Sequence, residues 1–182
     1  MPTLLLLRHA KAVPDHPDGD HARPLAERGH REAARTGRFL AGTGLVPARV
    51  LVSTARRTRE TWDGLAAAHA EAAGTLPAPH FSDALYHAHP DALLSAADDA
   101  LARLEAEGHT AAGPERPLLL VAHEPGLSQL VRRLTGAAAH FPPGTLACID
   151  ASAPRWADVS LAGTPSAARL RWLVPPDALP ER

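Results

Sequence analysis

Short apolar runs that alternate with segments of helical periodicity constrain the fold of this chain more than any other feature of its sequence. Three such runs, at residues 3–7, 49–52 and 118–121, have the length and composition of buried strands. Each is followed by apolar residues at helical spacing. Buried strands linked by helices form parallel sheets with helices on both faces. The sequence therefore predicts the α/β class, as a three-layer α/β/α sandwich with a mainly parallel central sheet.

The helical segments differ in the strength of their pattern. The clearest apolar stripe runs over residues 55–73, and Ser53 or Thr54 is placed to cap its start. Three further helices are predicted around residues 33–41, 93–104 and 127–134. A proline-containing stretch at residues 74–79 leads toward the third helix of the chain.

The C-terminal part changes character, because turn residues separate its short apolar runs. Residues 145–150, 158–161 and 170–174 have the pattern of strands, and we predict a C-terminal antiparallel strand pair. The sequence shows no repeat and no domain linker, so residues 1–182 are predicted to form a single domain. The proline-rich end, residues 175–182, is expected to be loosely held.

The charge balance limits the classes of partner. The chain has 19 basic and 20 acidic side chains, so its net charge provides no general attraction to nucleic acid or to an anionic membrane. Its first apolar run is too short for a signal peptide or a membrane span. We therefore expect a cytoplasmic monomer without nucleic-acid or membrane partners. The single cysteine, Cys148, lies in an apolar run and is expected to be buried and structural.

Polar side chains follow each predicted buried strand at the point where the strand ends. Arg8 and His9 follow the first strand, residues 53–57 follow the second, and His123 and Glu124 follow the third. In open α/β sheets, ligands bind at the carboxyl ends of the parallel strands. We therefore expect the three clusters to converge on one site if these strands are neighbours.

Arg56, Arg57 and Arg59 crowd the first turn of the helix that follows the second predicted strand. The helix dipole disfavours cations there by roughly a few tenths of a kcal/mol each. A bound phosphate would offset this cost, because arginine binds phosphate oxygens with paired donors. Arg57, next to the strand end, is expected to contact phosphate. Arg56 and Arg59 are expected to be solvated surface residues.

Four segments, in the same order along the chain, resemble motifs of the histidine phosphatase superfamily. Residues 6–10 (LLRHA) resemble its Arg-His-Gly motif, with alanine in place of glycine. Residues 23–29 (RPLAERG) resemble the segment that follows this motif in SixA-type phosphohistidine phosphatases. Residues 50–61 (VLVSTARRTRET) resemble the Ser-Pro-x-x-Arg-Ala-x-x-Thr segment, and residues 121–123 (VAH) resemble the strand end that carries a second histidine.

The resemblance implies a phosphatase that carries the phosphoryl group on His9 as a covalent phosphohistidine, which water then hydrolyses. It assigns Arg8 and Arg57 to the phosphate oxygens. It implies that Arg23 adds a further cationic contact and that His123 completes the pocket, where as a cation it could hydrogen-bond the phosphoryl group. No metal or cofactor is implied, because a neutral imidazole nitrogen attacks phosphorus and the arginines neutralise the transferring oxygens.

The proton donor to the leaving group is the open point of this assignment. Glu124, directly after His123, is one possible donor, as an aspartate is in the acid phosphatase branch. The SixA-type enzymes that this chain resembles lack an obvious acid. A phosphohistidine substrate would explain the absence of such an acid, because its nitrogen leaving group can be protonated before the transfer.

The substrate is the second open point. The short chain leaves little length for a lid, so we predict an open pocket that admits a phosphohistidine side chain of a protein. A small phosphomonoester phosphatase, a phosphomutase of the same superfamily and a phosphate-binding protein without turnover are the alternatives. The aspartates and histidines of residues 15–21, together with His87 and His89, are expected to be solvated loop residues and not metal ligands.

Overall fold

The computed structural model describes residues 2–108, 116–152, 156, 158 and 168–179. Within these residues the strands are β1 (Thr3–Arg8), β2 (Arg49–Ser53), β3 (Pro79–Ser82), β4 (Leu118–Ala122), β5 (Leu146–Ala151) and β6 (Ala168–Val174). The α-helices are α1 (Glu27–Thr43), α2 (Arg56–Ala73), α3 (Pro90–Ala106) and α4 (Gly126–Thr135). Short 3-10 helices lie at Asp20–Ala22, Asp83–Leu85 and Pro176–Ala178. None of the described helices has the length and hydropathy needed to cross a membrane.

The strands form one sheet in the order β3-β2-β4-β1-β5-β6. The first four strands of the chain run parallel to one another, whereas β5 is antiparallel to β1, and β6 is antiparallel to β5. This confirms the predicted α/β class, the mainly parallel sheet and the antiparallel C-terminal pair. Because β1, β4 and β2 are neighbours, their carboxyl ends lie at the same edge of the sheet.

Alternate residues of the central strands face two helical layers. Leu5 and Leu7 of β1 pack with apolar side chains of α1 and α2. Leu4 and Leu6 pack on the opposite face with α3 and α4. All four leucines are fully buried. Burial on both faces is the reason why this strand appears in the sequence as a continuous apolar run.

The edge strand β3 was not among the predicted strands. It pairs with β2 on one side only, and its side chains are partly buried or exposed. An edge strand therefore has no need of a continuous apolar run. Pro79 and His80 further weaken the strand pattern, and proline is tolerated here because the strand lies at an edge.

The start of α2 differs from the prediction. Ala55 is its N-cap residue, without a side-chain cap hydrogen bond. Ser53 lies instead within hydrogen-bond distance of His123, and Thr54 donates to Asp83. The capping prediction is therefore wrong, because neighbouring strand ends and loops engage both hydroxyl groups.

The C-terminal segment packs against the domain where the structure describes it. Pro176 is buried, and Leu179 is only 4% exposed. Arg28 of α1 donates to Asp177 at 3.0 Å. The expectation of a loosely held end is therefore wrong for residues 175–179, because Pro176 and Leu179 are buried and Asp177 pairs with α1. Residues 180–182, and residues 159–161 of the strand predicted over 158–161, lie outside the described residues.

Cys148 is fully buried in β5, as predicted from its apolar surroundings. Burial raises the pKa of its thiol to about 11. The thiol is therefore protonated at neutral pH, which agrees with a structural role.

The close approach of α1 and α2 predicts the effect of a substitution at Gly37. A Cβ atom there would lie 2.2 Å from the backbone oxygen of Leu65 in α2. Gly37→Ala should therefore lower the free energy of unfolding by about 1 to 3 kcal/mol, because the helices must move apart. Gly42→Ala in the same helix is the control, since no atom lies within 4 Å of that Cβ position. Denaturant unfolding should show the control unchanged or more stable by up to about 1 kcal/mol. Equal losses in both variants would contradict this packing argument.

Candidate active site

The three polar clusters meet at the carboxyl edge of β1, β4 and β2. The backbone N–H of His9 donates to the carbonyl of Ala122 at 3.1 Å, which ties the end of β1 to the end of β4. The ring centroids of His9 and His123 lie 5.2 Å apart. Arg57 Nη2 lies 3.1 Å from His123 Nδ1. The convergence expected from the strand ends is therefore present in the structure.

His9 is only 7% exposed, and one tautomer of its ring is favoured. Its Nδ1 lies 2.8 Å from the carbonyl oxygen of Ala10, which can only accept, so Nδ1 carries the proton. Burial lowers the pKa of His9 to about 3; the hydrogen bond to Ala10 opposes this, and nearby arginine charges add to it. His9 is therefore a neutral imidazole whose Nε2 has no hydrogen-bond partner among the described residues.

His123 is also neutral, but it holds its proton on the other nitrogen. Arg57 Nη2 can only donate, so His123 Nδ1 accepts, and Nε2–H donates to Ser53 Oγ at 2.8 Å. The pKa of His123 is lowered to about 2, chiefly by burial and also by its interactions with His9 and Arg57. In this arrangement His123 is therefore neutral and not the cation that the sequence allowed, because a proton on Nδ1 would face the guanidinium.

Arg57 is 1% exposed, so its charge is almost fully withdrawn from water. Its Nη1 donates to the backbone oxygen of Asp20 at 2.7 Å, and its Nη2 donates to Asp20 Oδ2 at 2.9 Å. Its Nε is buried and has no partner among the described residues. An unpaired buried donor is costly, and a ligand oxygen would satisfy it.

Arg8 has the same unused donor, whereas Arg23 is paired. Arg8 Nη1 donates to the carbonyl of Phe141 at 2.5 Å, and Arg23 Nη1 donates to the carbonyl of Pro14 at 2.9 Å. Arg8 Nε is buried without a hydrogen-bond partner in the described part of the chain. Arg23 Nε faces Asp20 Oδ1. Arg8 and Arg57 thus each retain a buried donor without a partner among the described residues. Such a set of donors suits the oxygens of a phosphoryl group.

Asp20 belongs to the site, although the sequence predicts it as a solvated loop residue. Its Oδ2 accepts from the Tyr86 hydroxyl at 2.7 Å and from His87 Nε2 at 3.2 Å, besides Arg57. Arg23 Nε lies 3.0 Å from its Oδ1. The hydrogen bond from Tyr86, followed by those from His87 and Arg57, holds the pKa of Asp20 well below its usual range. Asp20 is therefore an ionised carboxylate at the rim of the cationic cluster.

Asp20, Tyr86 and His87 were missed because none of them follows a predicted strand. Asp20 starts the 3-10 helix Asp20–Ala22, and the other two lie between β3 and α3. One signal for Asp20 was available in the sequence. An arginine withdrawn from water needs a compensating anion, and Asp20 lies three residues before the predicted phosphate contact Arg23, with which it pairs. Among the described residues, no group of three or more His, Cys, Asp or Glu side chains is placed to hold a metal ion.

Glu124 lies beside Arg8. Burial lowers the pKa of Arg8, and the charge of Glu124 opposes this change. Glu124 Oε2 accepts from Ser128 Oγ at 2.6 Å. Its Oε1 is buried and has no partner within the described residues. Glu124 thus keeps one carboxylate oxygen without a described partner, and its charge acts on Arg8.

Arg56 and Arg59 lie at the surface, as predicted. The Arg56 side chain is 53% exposed and pairs with Glu60 at 2.7 Å. The Arg59 guanidinium lies 4.0 Å from the centre of the Phe81 ring. Only Arg57 of the three arginines at the start of α2 contacts the histidines.

Comparison with known proteins decides the family. The model of the histidine phosphatase superfamily (branch 1) matches residues 4–78. An uncharacterized protein of Mycobacterium leprae is 32% identical over 170 residues, which are 85% of this chain and 92% of the relative. A candidate SixA phosphohistidine phosphatase of Nakamurella multipartitia has a TM-score of 0.71 at 26% identity, over 95% of both chains. This chain belongs to the histidine phosphatase superfamily, in its SixA-type branch.

The fold of this histidine phosphatase is also that of the protein histidine phosphatase SixA in complex with tungstate. The two have a TM-score of 0.69 at 20% identity, over 96% of this chain and 97% of the other. Membership of the superfamily supports phosphatase activity. The buried arginine donors described above agree with an enzyme that binds phosphate.

The low pKa values of His9 and His123 predict how the stability of this histidine phosphatase depends on pH. Both rings stay neutral in the folded protein, whereas in the unfolded chain they bind protons near pH 6.5. The unfolded state therefore binds more protons as the pH falls below that value. The free energy of unfolding should decrease by up to about 1.4 kcal/mol per pH unit for each histidine between about pH 6.5 and about pH 4.5.

Denaturant unfolding of the phosphate-free protein at several pH values measures this dependence. His123→Gln should have a shallower pH dependence than the wild type, because one buried titrating ring is removed. His89→Gln is the control, since His89 is exposed and should leave the slope unchanged. The same slope in the wild type and in His123→Gln would contradict the assignment of a buried neutral ring.

Proposed function

We propose that this histidine phosphatase removes phosphoryl groups from protein phosphohistidine through a covalent intermediate on His9. The proposal is carried by one observation, the buried neutral His9. Its Nδ1 proton is held by Ala10, and its Nε2 is free beside arginines with unused donors. An imidazole nucleophile needs a bare nitrogen, and a transferring phosphoryl group needs its charge neutralised. Residues at one edge of the sheet supply both.

In the proposed first step, His9 Nε2 attacks phosphorus and forms a P–N bond. The bond from phosphorus to the leaving group breaks, and its electron pair leaves with that group. Arg8, Arg57 and Arg23 would neutralise the phosphoryl oxygens during the transfer. Water then attacks phosphorus, the electrons of the P–N bond return to Nε2, and inorganic phosphate leaves. The reaction as proposed requires no metal ion or cofactor.

His123 has a different proposed role from the one that the sequence implied. Its Nδ1 accepts from Arg57, and its Nε2–H is directed to Ser53. We propose that it holds the Arg57 guanidinium in place as a neutral acceptor. A neutral ring also avoids adding a fourth positive charge to a cluster that already lowers the pKa of His9.

Glu124 is the proposed proton donor for substrates whose leaving group needs one. Its Oε1 is buried without a described partner, close to Arg8. Asp20 is unsuited to this role, because its pKa lies well below the usual range and keeps it ionised. A phosphohistidine leaving group needs less assistance, since its imidazole can be protonated before the transfer.

The rim of the site favours a cationic, planar leaving group. The Asp20 carboxylate accepts hydrogen bonds from Tyr86 and His87, whose ring centroids lie 4.3 Å apart. The His21 ring lies 4.9 Å from that of Tyr86. Aromatic faces next to a fixed anion suit a flat cation such as a protonated imidazole. The same carboxylate would repel a substrate that carries additional negative groups.

A small phosphomonoester is the alternative substrate, because the arginine cluster would bind its phosphate equally well. A phosphomutase would need further cationic groups to hold a second phosphate. At the rim of the site, where such groups would be needed, lies the anionic Asp20. The proposed partner is thus a phosphorylated protein. That the enzyme is a monomer and that it acts in the cytoplasm both stay predictions from the sequence.

His9→Ala tests the proposed nucleophile. With a phosphohistidine protein labelled on phosphorus, the wild type should form an acid-labile phosphoenzyme that rapid-quench sampling detects. His9→Ala should form none and should lose at least about a thousandfold in turnover, because the attacking nitrogen is gone. His89→Ala is the control and should behave as the wild type, because His89 is exposed. Near-normal turnover in His9→Ala would show that the nucleophile is wrongly assigned.

Asp20→Asn tests the proposed leaving-group preference. Loss of the anion should reduce kcat/KM for a phosphohistidine protein at least about tenfold more than kcat/KM for p-nitrophenyl phosphate, because only the imidazole leaving group can become cationic. Asp18→Asn is the control, since that carboxylate lies in the same loop and is 80% exposed. Equal losses for both substrates would contradict the preference. A wild type that strongly prefers sugar or nucleotide phosphates would contradict the proposed substrate class.

A further inference from the structure

Glu32 of α1 is a buried carboxylate that the proposed mechanism does not use. It is 3% exposed and lies on the inward face of its helix. Its Oε1 accepts from Arg28 Nε at 2.7 Å, and its Oε2 accepts from the backbone N–H of Lys11 at 2.9 Å. Burying a carboxylate is costly unless it is paired. One of its two partners is a backbone group only two residues beyond His9.

The backbone group bound by Glu32 is part of the same peptide as the oxygen that binds His9. The N–H of Lys11 and the C=O of Ala10 belong to one conjugated peptide unit. Ala10 O accepts the His9 Nδ1 proton at 2.8 Å, and the N–H at the other end donates to Glu32. An anion that binds the N–H of a peptide polarises its carbonyl and makes it a stronger acceptor. The carboxylate is thus connected to the imidazole by two hydrogen bonds in series.

Other contacts hold this peptide in place. The N–H of Ala10 donates to Thr61 Oγ1 at 3.0 Å, and the carbonyl of Lys11 accepts from the N–H of Ala26 at 2.8 Å. Gly29 of α1 packs so closely that a Cβ atom there would lie 2.1 Å from the carbonyl oxygen of Lys11. The geometry of the connection therefore does not depend on Glu32 alone.

We propose that Glu32 is a positioning residue that acts on His9 through the Ala10–Lys11 peptide and stabilises the positive charge that develops on the ring as Nε2 binds phosphorus. This rests on the proposed role of His9 as nucleophile. No proton moves in this step, because Nδ1 keeps its hydrogen throughout. The ring gains a positive charge as the P–N bond forms. A carboxylate in direct contact with a histidine has this effect in serine hydrolases, whereas here a peptide lies between them.

Glu60 of α2 provides a matched control. Its Oε1 accepts from Arg56 Nε at 2.7 Å, and its Oε2 accepts from the backbone N–H of Leu25 at 2.6 Å. Like Glu32, it therefore pairs with an arginine four residues earlier and with one distant backbone N–H. The peptide that it binds is not hydrogen-bonded to His9. The cost of losing an arginine pair and of weakening one backbone hydrogen bond should thus appear in both variants, with Glu60 the more exposed side chain at 21% against 4%.

Glu32→Gln and Glu60→Gln together test the proposal. Glutamine retains an acceptor for the backbone N–H and removes the charge. In single-turnover experiments, Glu32→Gln should form the phosphoenzyme about 10- to 100-fold more slowly than Glu60→Gln. The factor should be the same for a phosphohistidine protein and for p-nitrophenyl phosphate, with KM nearly unchanged, because the effect lies on the nucleophile. The His9 Nδ1 proton should also move upfield in its NMR spectrum, since its acceptor is weakened.

Equal rates of phosphoenzyme formation in the two variants would overturn the proposal. A wild type that turns over without any phosphoenzyme would instead contradict the role of His9. Arg28→Gln provides a second test if Glu32→Gln does not fold, because the Arg28 side chain is 57% exposed. Loss of this cation leaves the Glu32 charge less neutralised, so phosphoenzyme formation should be as fast as in the wild type or faster. A decrease of tenfold or more in Arg28→Gln would also count against the proposal.

Discussion

Burial of the Arg57 guanidinium is the constraint on which the arrangement of the site depends. Because Arg57 is only 1% exposed, water cannot solvate its charge, and the guanidinium needs hydrogen-bond partners from within the protein. Asp20 supplies both a backbone oxygen and a carboxylate oxygen, which ties the loop before α1 to the start of α2. His123 supplies a neutral nitrogen from the end of β4. One buried charge thereby joins a loop, a helix start and a strand end.

Neutrality of the two histidines follows from the same surroundings. Desolvation and the nearby positive charges lower the pKa of both rings far below neutral pH. Their hydrogen bonds then determine which nitrogen holds the proton, Nδ1 in His9 and Nε2 in His123. In its proposed role as nucleophile, His9 therefore needs no separate base to remove a proton before it attacks. The proposed contribution of Glu32 extends this principle, because it concerns the charge that would appear on His9 only during the proposed phosphoryl transfer.

The part of the site that could be predicted from the sequence is the part that stands at the ends of apolar runs. Arg8, His9 and His123 follow buried strands, and parallel strands bring their carboxyl ends to one edge. Asp20 and His87 could not be found in this way, since they lie in a short 3-10 helix and in a loop. The strand β3 was missed for a related reason, because an edge strand lacks the apolar pattern of a buried one.

By itself, the sequence determined the α/β class and the residues that stand at the ends of the parallel strands, because both follow from the local periodicity of apolar residues. Only the tertiary structure decided that His123 is a neutral acceptor and that Asp20 balances the charge of Arg57. Protonation depends on how far a ring is removed from water and on the charges around it. Asp20 and Arg57 are 37 positions apart in the chain, so their pairing depends on how the strands are arranged in the sheet.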